Sequence, residues 1–364
     1  MSGATSIEWT DATWNPIRGC SRVSEGCRNC YAESVAHRFS GPGLAYAGLT
    51  ALGRWNGRIE FVEEHLLDPL RWKTPRRIFV NSMSDLFHEN VTDEMRDRIF
   101  AVMALCARHT FQILTKRPER MLAYLGEPGR RSDVMLAAGD LAFEIEAHVK
   151  YPRSMFPKNA EVVYDLGADR DECGCRVSSN WPLLNVWLGV SVENQKAADE
   201  RIPLLLKTPA AVRFISAEPL LRHVSLEELL SVSGIGRYLN ALSNAGVDPG
   251  AEIATRLDWV ICGGESGPGA RPMHPAWACS LRDQCVAAGV PFFFKQWGEW
   301  RDHRWDDPDN KPHVRLTRDG KDGQILGSAR DNDVWMARLG KKSAGDLLDG
   351  VQWHQFPEVA HGKA

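Results

Sequence analysis

The chain has 364 residues, 43% hydrophobic and 25% charged, with 31 Gly and 20 Pro, a globular composition that excludes disorder, a collagen repeat and a coiled coil. With 44 Lys and Arg against 47 Asp and Glu, the formal charge of -3 gives no chain-wide basic field for a polyphosphate backbone, so any nucleic-acid contact must be local. No apolar run approaches the roughly 20 residues of a membrane helix, and the segment from Met1 to Trp9 lacks the basic and apolar regions of an export signal, so a cytoplasmic protein without a membrane partner is expected.

In chain order, the first strong signal is the string Asn15-Pro16-Ile17-Arg18-Gly19-Cys20-Ser21-Arg22-Val23-Ser24-Glu25-Gly26-Cys27-Arg28-Asn29-Cys30-Tyr31-Ala32-Glu33, a loop that runs into a helix expected over 31–39. The 9 cysteines are an odd number in a chain with no export signal, which argues against a disulfide framework and for metal or redox chemistry. Three thiolates this close can hold three irons of a cubane cluster and leave the fourth iron open. Zinc, with His37 or a distant Cys as fourth ligand, competes with that reading, as do three unrelated thiols.

Short β-rich runs follow at 78–82, 111–115, 186–191, 212–216, 259–263 and 291–295, near-continuously apolar as strands covered on both faces are. Between them, a helix after Thr92 places Met95, Ile99, Val102, Met103 and Cys106 on one face, with Asp93 and Glu94 in its first turn. A second helix has Pro275 near its start and Gly289 beyond its end. Strand, loop and helix repeat in the manner of a (β/α) barrel or a doubly wound sheet. The expected organisation is an α/β protein with a partial or full (β/α) barrel over 1–300, insertions at about 129–180 and 224–256, and an extension over 301–364 that packs on the barrel.

In a barrel the polar tails of all these strands meet at the carboxyl-terminal mouth, where active sites lie. That rule singles out Ser82 and Asp85, Lys116, Glu193 and Asn194, Glu218, the Gly263-Gly264-Glu265 run, and Lys295 with Gln296. Carboxylates there suit ribose, ammonium or substrate, lysines balance them, and amides suit a nucleobase edge; a structural ion network around the mouth is the competing explanation. Gly263 and Gly264 would let a ligand approach backbone N–H groups beside Glu265, or would simply mark a turn. His88 and His274 sit in loops beyond strand ends, as proton shuttles or as ordinary polar contacts. Cys173 and Cys175, one residue apart in the first insertion, suit a metal site better than a mutual disulfide, with two incidental thiols as the default. Arg71-Trp72-Lys73-Thr74-Pro75-Arg76-Arg77 is read as a basic face with a core Trp before it is read as a nucleic-acid patch.

The three-cysteine loop followed by a β/α chain resembles the radical S-adenosylmethionine enzymes. The strings Glu8-Trp9-Thr10-Asp11-Ala12-Thr13-Trp14-Asn15-Pro16, Cys27-Arg28-Asn29-Cys30-Tyr31-Ala32, Leu114-Thr115-Lys116-Arg117-Pro118, Gly189-Val190-Ser191-Val192-Glu193-Asn194 and Phe294-Lys295-Gln296-Trp297-Gly298 look more closely like a phage-borne three-cysteine family of unknown function, also found in bacterial chromosomes. The resemblance implies a barrel of radical S-adenosylmethionine type and a [4Fe-4S] cluster on Cys20, Cys27 and Cys30. It also implies S-adenosylmethionine as cofactor, with Tyr31, Ser82, Asp85, Glu193, Asn194, Gly263, Gly264 and Glu265 as its binding candidates, and Lys116, Glu218 and Lys295 as catalytic ones. An electron donor such as flavodoxin or ferredoxin, and a nucleic-acid or nucleotide substrate, complete that expectation. A zinc-stabilised, non-catalytic nucleic-acid-binding protein is the alternative, and a barrel hydrolase with structural cysteines a third.

Overall fold

The computed structural model describes residues 3–147, 169–170, 176–177, 180–230, 238–243, 255–304, 307–308, 310–318, 322–323 and 333–358. The chain forms two compact units, one of residues 1–22, 32–189 and 208–212, the other of residues 23–31, 190–207 and 213–364.

The main sheet contains β1 (Gly3–Ala4), β2 (Ala12–Trp14), β3 (Arg77–Val80), β4 (Thr110–Thr115), β5 (Val186–Ser191), β6 (Val212–Ala217), β7 (Trp259–Gly263) and β8 (Phe292–Gln296), in that spatial order. The seven strands from β2 onward are parallel, and β1 joins β2 antiparallel. A doubly wound sheet reverses its strand order at a switch point, whereas here every new strand is added on the same side. The topology is therefore consistent with a partial β/α barrel and rules out the doubly wound alternative.

In the first unit, Ile78, Phe79 and Val80 align with Phe111, Gln112 and Ile113. The crossover between these strands is α2 (Asp93–Leu105), which follows α1 (Tyr31–Arg38) in the chain. Thr92 caps α2 by accepting from the Met95 N–H at 3.3 Å, and Ile99, Val102, Met103 and Cys106 are buried, as the spacing predicts, while Met95 is half-buried. Arg96, on the same helix, is also buried, because its guanidinium fills the carbonyls of Leu86 and Val91. Two helices carry no strong sequence signal: α3 (Pro118–Leu125) and α4 (Arg130–Glu146), which opens the first expected insertion. Cys173 and Cys175 lie outside the described residues.

In the second unit, α5 (Gln195–Lys207) and α6 (Pro275–Ala288) accompany β6, β7 and β8. Gly289 ends α6 in the left-handed conformation, with φ +64. The residues beyond 300 build a second sheet from β9 (Trp300–Asp302), β10 (His313–Leu316), β11 (Asp322–Gly323) and β12 (Val334–Arg338), in the order β9-β12-β10-β11. After it the chain runs antiparallel to β8, where the Phe294 N–H donates to the Trp353 carbonyl at 2.7 Å and Phe356 packs on Trp259 and Phe293. Among the described residues no helix is long and apolar enough to cross a membrane.

Candidate functional site

The loop that carries the three cysteines leaves β2 and enters α1, and its two halves have separate anchors. In the first unit the Gly19 φ of +93 brings the backbone so close to Arg58 that a Cβ at this position would lie 2.1 Å from the Arg58 carbonyl oxygen. Cys20, beside it, holds the Gly57 N–H through its own carbonyl.

Arg117 organises the polar groups around Cys20. Its Nη1 donates to Asp85 Oδ2 at 3.0 Å, its Nε to Glu89 Oε2 at 2.9 Å and its Nη2 to Ser21 Oγ at 2.7 Å. Asp85, 6% exposed, also accepts from Thr115 Oγ1 and from the Phe87 and Lys116 N–H groups. Burial works against the Arg117 charge, but Asp85, Cys20 and Glu89 together raise its pKa above the ordinary value. Glu89, despite its partial burial, is held down to about 2 by backbone N–H, Ser21 and Arg117. The Arg117 guanidinium thus lies close enough to Cys20 for the two to interact electrostatically.

His88 is fully buried, and its Nε2 lies 2.9 Å from Ser21 Oγ. Nδ1 accepts from the Asn90 N–H at 3.1 Å, so Nε2 carries the ring proton and donates to Ser21, whose hydroxyl in turn donates to Glu89. Burial, with Arg117 adding to it, lowers the His88 pKa and keeps the ring neutral. In this tautomer His88 cannot take the Ser21 proton, so the pair is not an activated nucleophile.

In the second unit, the Val23 N–H points at Cys27 Sγ at 3.5 Å, and Ser24 Oγ donates to Glu193 Oε1 at 2.7 Å. Glu193 is 1% exposed, and its other oxygen accepts from Arg201 at 3.0 Å. Gly26 lies against this carboxylate, where a Cβ would meet Glu193 Cγ at 2.4 Å. Asn29 Nδ2 donates to Glu265 Oε2 at 2.9 Å and to the Gly269 carbonyl at 2.7 Å. Burial raises the Glu265 pKa, but its hydrogen bonds from Arg271 and Asn29 outweigh this and keep it a carboxylate.

Lys295, at the end of β8, donates to both oxygens of Glu218, at 2.7 and 3.0 Å. Gln296 Nε2 adds a third bond to that carboxylate at 3.2 Å, while Gln296 Oε1 is buried with no partner among the described residues. Gly263 lies against this group, but a Cβ there would sit 3.4 Å from Glu218 Cδ, an ordinary contact. Gly264 is required for packing: its Cβ would lie 1.9 Å from the Trp297 carbonyl oxygen.

The family model described as protein of unknown function (DUF5131) matches residues 4–357, both halves of the cysteine loop and every strand end above included. The chain belongs to this family. No curated protein and no solved structure matches it.

The expected site residues of this family member fall into distinct groups. Cys20, Asp85 and Lys116 belong to the Arg117 cluster; Glu193 and Glu265 are the two carboxylate anchors, bound by Ser24 and Asn29 on either side of Cys27 in the chain; Gly263, Glu218 and Lys295 form the third group. Ser82 Oγ donates to Asn15 Oδ1 at 3.1 Å, which ties the first turn after β3 to the Asn15-Pro16 corner. Asn194 Oδ1 accepts from the Ala197 N–H at 3.0 Å and caps the start of α5. Tyr31 follows Cys30 at the exposed start of α1. His274 likewise caps α6, accepting from the Ala276 N–H at 3.1 Å.

All three loop cysteines are partly exposed thiols outside any disulfide. Among the described residues no group of three or more His, Cys, Asp or Glu side chains is placed to hold a metal ion. In the basic segment Trp72, which is half-buried rather than a core residue, lies under the Arg76 guanidinium, and Arg77 pairs with Asp11. Arg22, which binds Glu33 through two nitrogens, and Arg271 carry no functional signal in the sequence, whereas Arg117 lies in the polar strand tail Thr115-Lys116-Arg117-Pro118 and pairs with Asp85.

Proposed function

We propose that this chain is an iron–sulfur enzyme of the radical S-adenosylmethionine type, with Cys20, Cys27 and Cys30 as the ligands of a [4Fe-4S] cluster. The observation that carries the reading is three partly exposed thiols, none in a disulfide, in one loop immediately after the first parallel strand of a sequentially ordered β/α sheet. In support, thiolates are what iron–sulfur clusters take and a backbone N–H faces the Cys27 sulfur, although among the described residues the three thiols are not gathered to hold a metal ion. The chemistry the group supplies when bound is one-electron cleavage of the S-adenosylmethionine sulfonium to methionine and a 5'-deoxyadenosyl radical.

The chain's own residues supply the rest. Arg117, held by Asp85 and Glu89, keeps positive charge beside Cys20. Lys295 and Glu218 form an ammonium–carboxylate pair at the strand ends, able to hold a proton at Lys295 Nζ and pass it to a bound group. The orphan Gln296 oxygen offers an acceptor to a donor such as a nucleobase amino group, in keeping with a nucleotide or nucleic-acid substrate. A small electron-transfer protein of the flavodoxin or ferredoxin kind would deliver the electron.

The test is anaerobic purification followed by iron, sulfide and zinc analysis, then incubation of the reduced protein with S-adenosylmethionine. About four irons per chain and formation of 5'-deoxyadenosine are expected, both abolished by Cys20→Ala, Cys27→Ala or Cys30→Ala. Stoichiometric zinc without iron or cofactor cleavage would overturn the proposal in favour of a zinc-stabilised protein.

A further inference from the structure

We infer that the segment 264–271 is a latch that positions the Cys27 and Cys30 half of the cysteine loop, with Glu265 as a positioning residue rather than a ligand for a cofactor's ammonium group. The inference deepens the reading of the loop as a cluster site and rests on it only for the metal arm of the test.

The argument begins with the acceptor capacity of Glu265. Its Oε2 receives Asn29 Nδ2 at 2.9 Å, the Arg271 N–H at 2.8 Å and Arg271 Nε at 2.9 Å, while Oε1 receives Arg271 Nη2 at 2.6 Å. Four donors from the protein on one carboxylate, 6% exposed, leave it little to offer a ligand. The bonds run instead between two stretches of chain more than two hundred residues apart in sequence. Arg271 extends the connection, since Nη1 donates to Glu25 Oε1 at 3.1 Å and Nη2 to the Glu25 carbonyl at 3.2 Å. Glu25 and Asn29 flank Cys27, and Asn29 precedes Cys30 directly.

Close approach is also built into the glycines. A Cβ on Gly269 would stand 2.8 Å from Asn29 Oδ1, so a larger residue would make the Asn29 amide shift, and with it the bond that the Gly269 carbonyl takes from Asn29 Nδ2. From its other side the segment is held by the second sheet. Arg338 Nη2 donates to the carbonyls of Gly267 at 3.1 Å and Pro268 at 2.7 Å, Trp300 Nε1 to that of Ala270 at 2.7 Å, and Glu299 Oε1 accepts from the Gly267 N–H at 3.1 Å. In this way β9 and β12 brace the latch that braces the cysteines.

The variants are Glu265→Gln, which places an amide nitrogen against the donors of Arg271 or Asn29, and Gly269→Ala, which crowds Asn29 without touching any charge. The first measurement is tryptic cleavage after Arg28, inside the latched half, with cleavage after Arg22, which Glu33 holds in the other unit, as internal reference. Cleavage after Arg28 should rise about fivefold or more in both variants relative to wild type, the effect of losing one charge-assisted bond on local opening, with cleavage after Arg22 unchanged. The second measurement is iron per chain after anaerobic loading, which should fall in both variants while circular dichroism stays that of wild type. Arg338→Ala should shift both readouts in the same direction.

Unchanged cleavage after Arg28 in a folded Gly269→Ala protein would overturn the latch. If wild type takes no iron, the cluster reading fails while the cleavage ratio still decides the latch. If wild type takes iron and the variants load it equally well, the latch has no role in positioning the cysteines.

Discussion

Asp85→Asn is the perturbation whose outcome the structure determines most closely. The native carboxylate accepts four bonds: Thr115 Oγ1 at 2.7 Å and the Phe87 N–H at 3.0 Å on Oδ1, the Lys116 N–H at 3.1 Å and Arg117 Nη1 at 3.0 Å on Oδ2. The amide can keep one pair but must turn its NH2 toward the other, putting donor against donor beside a guanidinium whose side chain is 9% exposed. Removing one partner of a buried ion pair costs about 3–5 kcal/mol. Arg117 retains Glu89 and Ser21, so the low end of that range, about 3 kcal/mol, is expected. Equilibrium urea unfolding of the first unit's signal would measure it. Asp85→Asn combined with Arg117→Met should cost less than the sum of the two single changes, because the buried charge left behind by the first is removed by the second. A loss below about 1 kcal/mol, or strict additivity of the two, would refute the assignment of Asp85 as the counterion that holds Arg117 beside Cys20.

Three further outcomes follow from the same geometry. Burial, then Arg108, lowers His109 to about 4 from 6.5, so its contribution to stability is fully present above pH 6.5 and is lost as pH falls toward 4. Stability should therefore decline by up to about 3 kcal/mol over that window, and His109→Gln should show a visibly shallower pH profile in the same unfolding assay. Thr92→Ala removes the α2 cap and should cost about 1 kcal/mol, read as a shift in the denaturation midpoint with unchanged slope. Gly19→Ala forces a Cβ against the Arg58 carbonyl at a positive φ and should cost about 1–3 kcal/mol, with increased reactivity of Cys20 toward alkylating agents as the local readout; wild-type stability and reactivity would show that the backbone there yields freely.

Much of the site was visible before the fold was known, because chemistry-bearing residues gather at strand ends and strand ends can be recognised from apolar runs. β5 and β7 begin and end where their runs do, at Val186–Ser191 and Trp259–Gly263. The β3 strand ends at Val80, two residues before the end of the expected run over 78–82: Asn81 adopts φ +59 and leaves the strand, its N–H held by the Trp14 carbonyl at 2.7 Å. Roles were harder to read than positions. Glu193, Asn194 and Glu265 all stand after strands, where an inward carboxylate or amide suits a ligand. In the folded chain Asn194 caps a helix, and both glutamates carry protein donors from the cysteine loop. Glu218 and Lys295, marked by the same rule, do meet each other.

From the sequence alone came the α/β class, the periodic strands and helices, the loop of three cysteines, and the set of polar strand tails, all of which are local properties of spacing and residue type. The strand order that separates a partial barrel from a doubly wound sheet, the pairing of Arg117 with Asp85 and of Arg271 with Glu265, and the division of the cysteine loop between two anchors were decided by tertiary structure. Most of these join residues dozens to hundreds of positions apart. Hydrogen bonds of that kind leave no periodic trace in a sequence, since a guanidinium can meet any carboxylate the backbone brings within reach, and only the completed fold selects which one it meets.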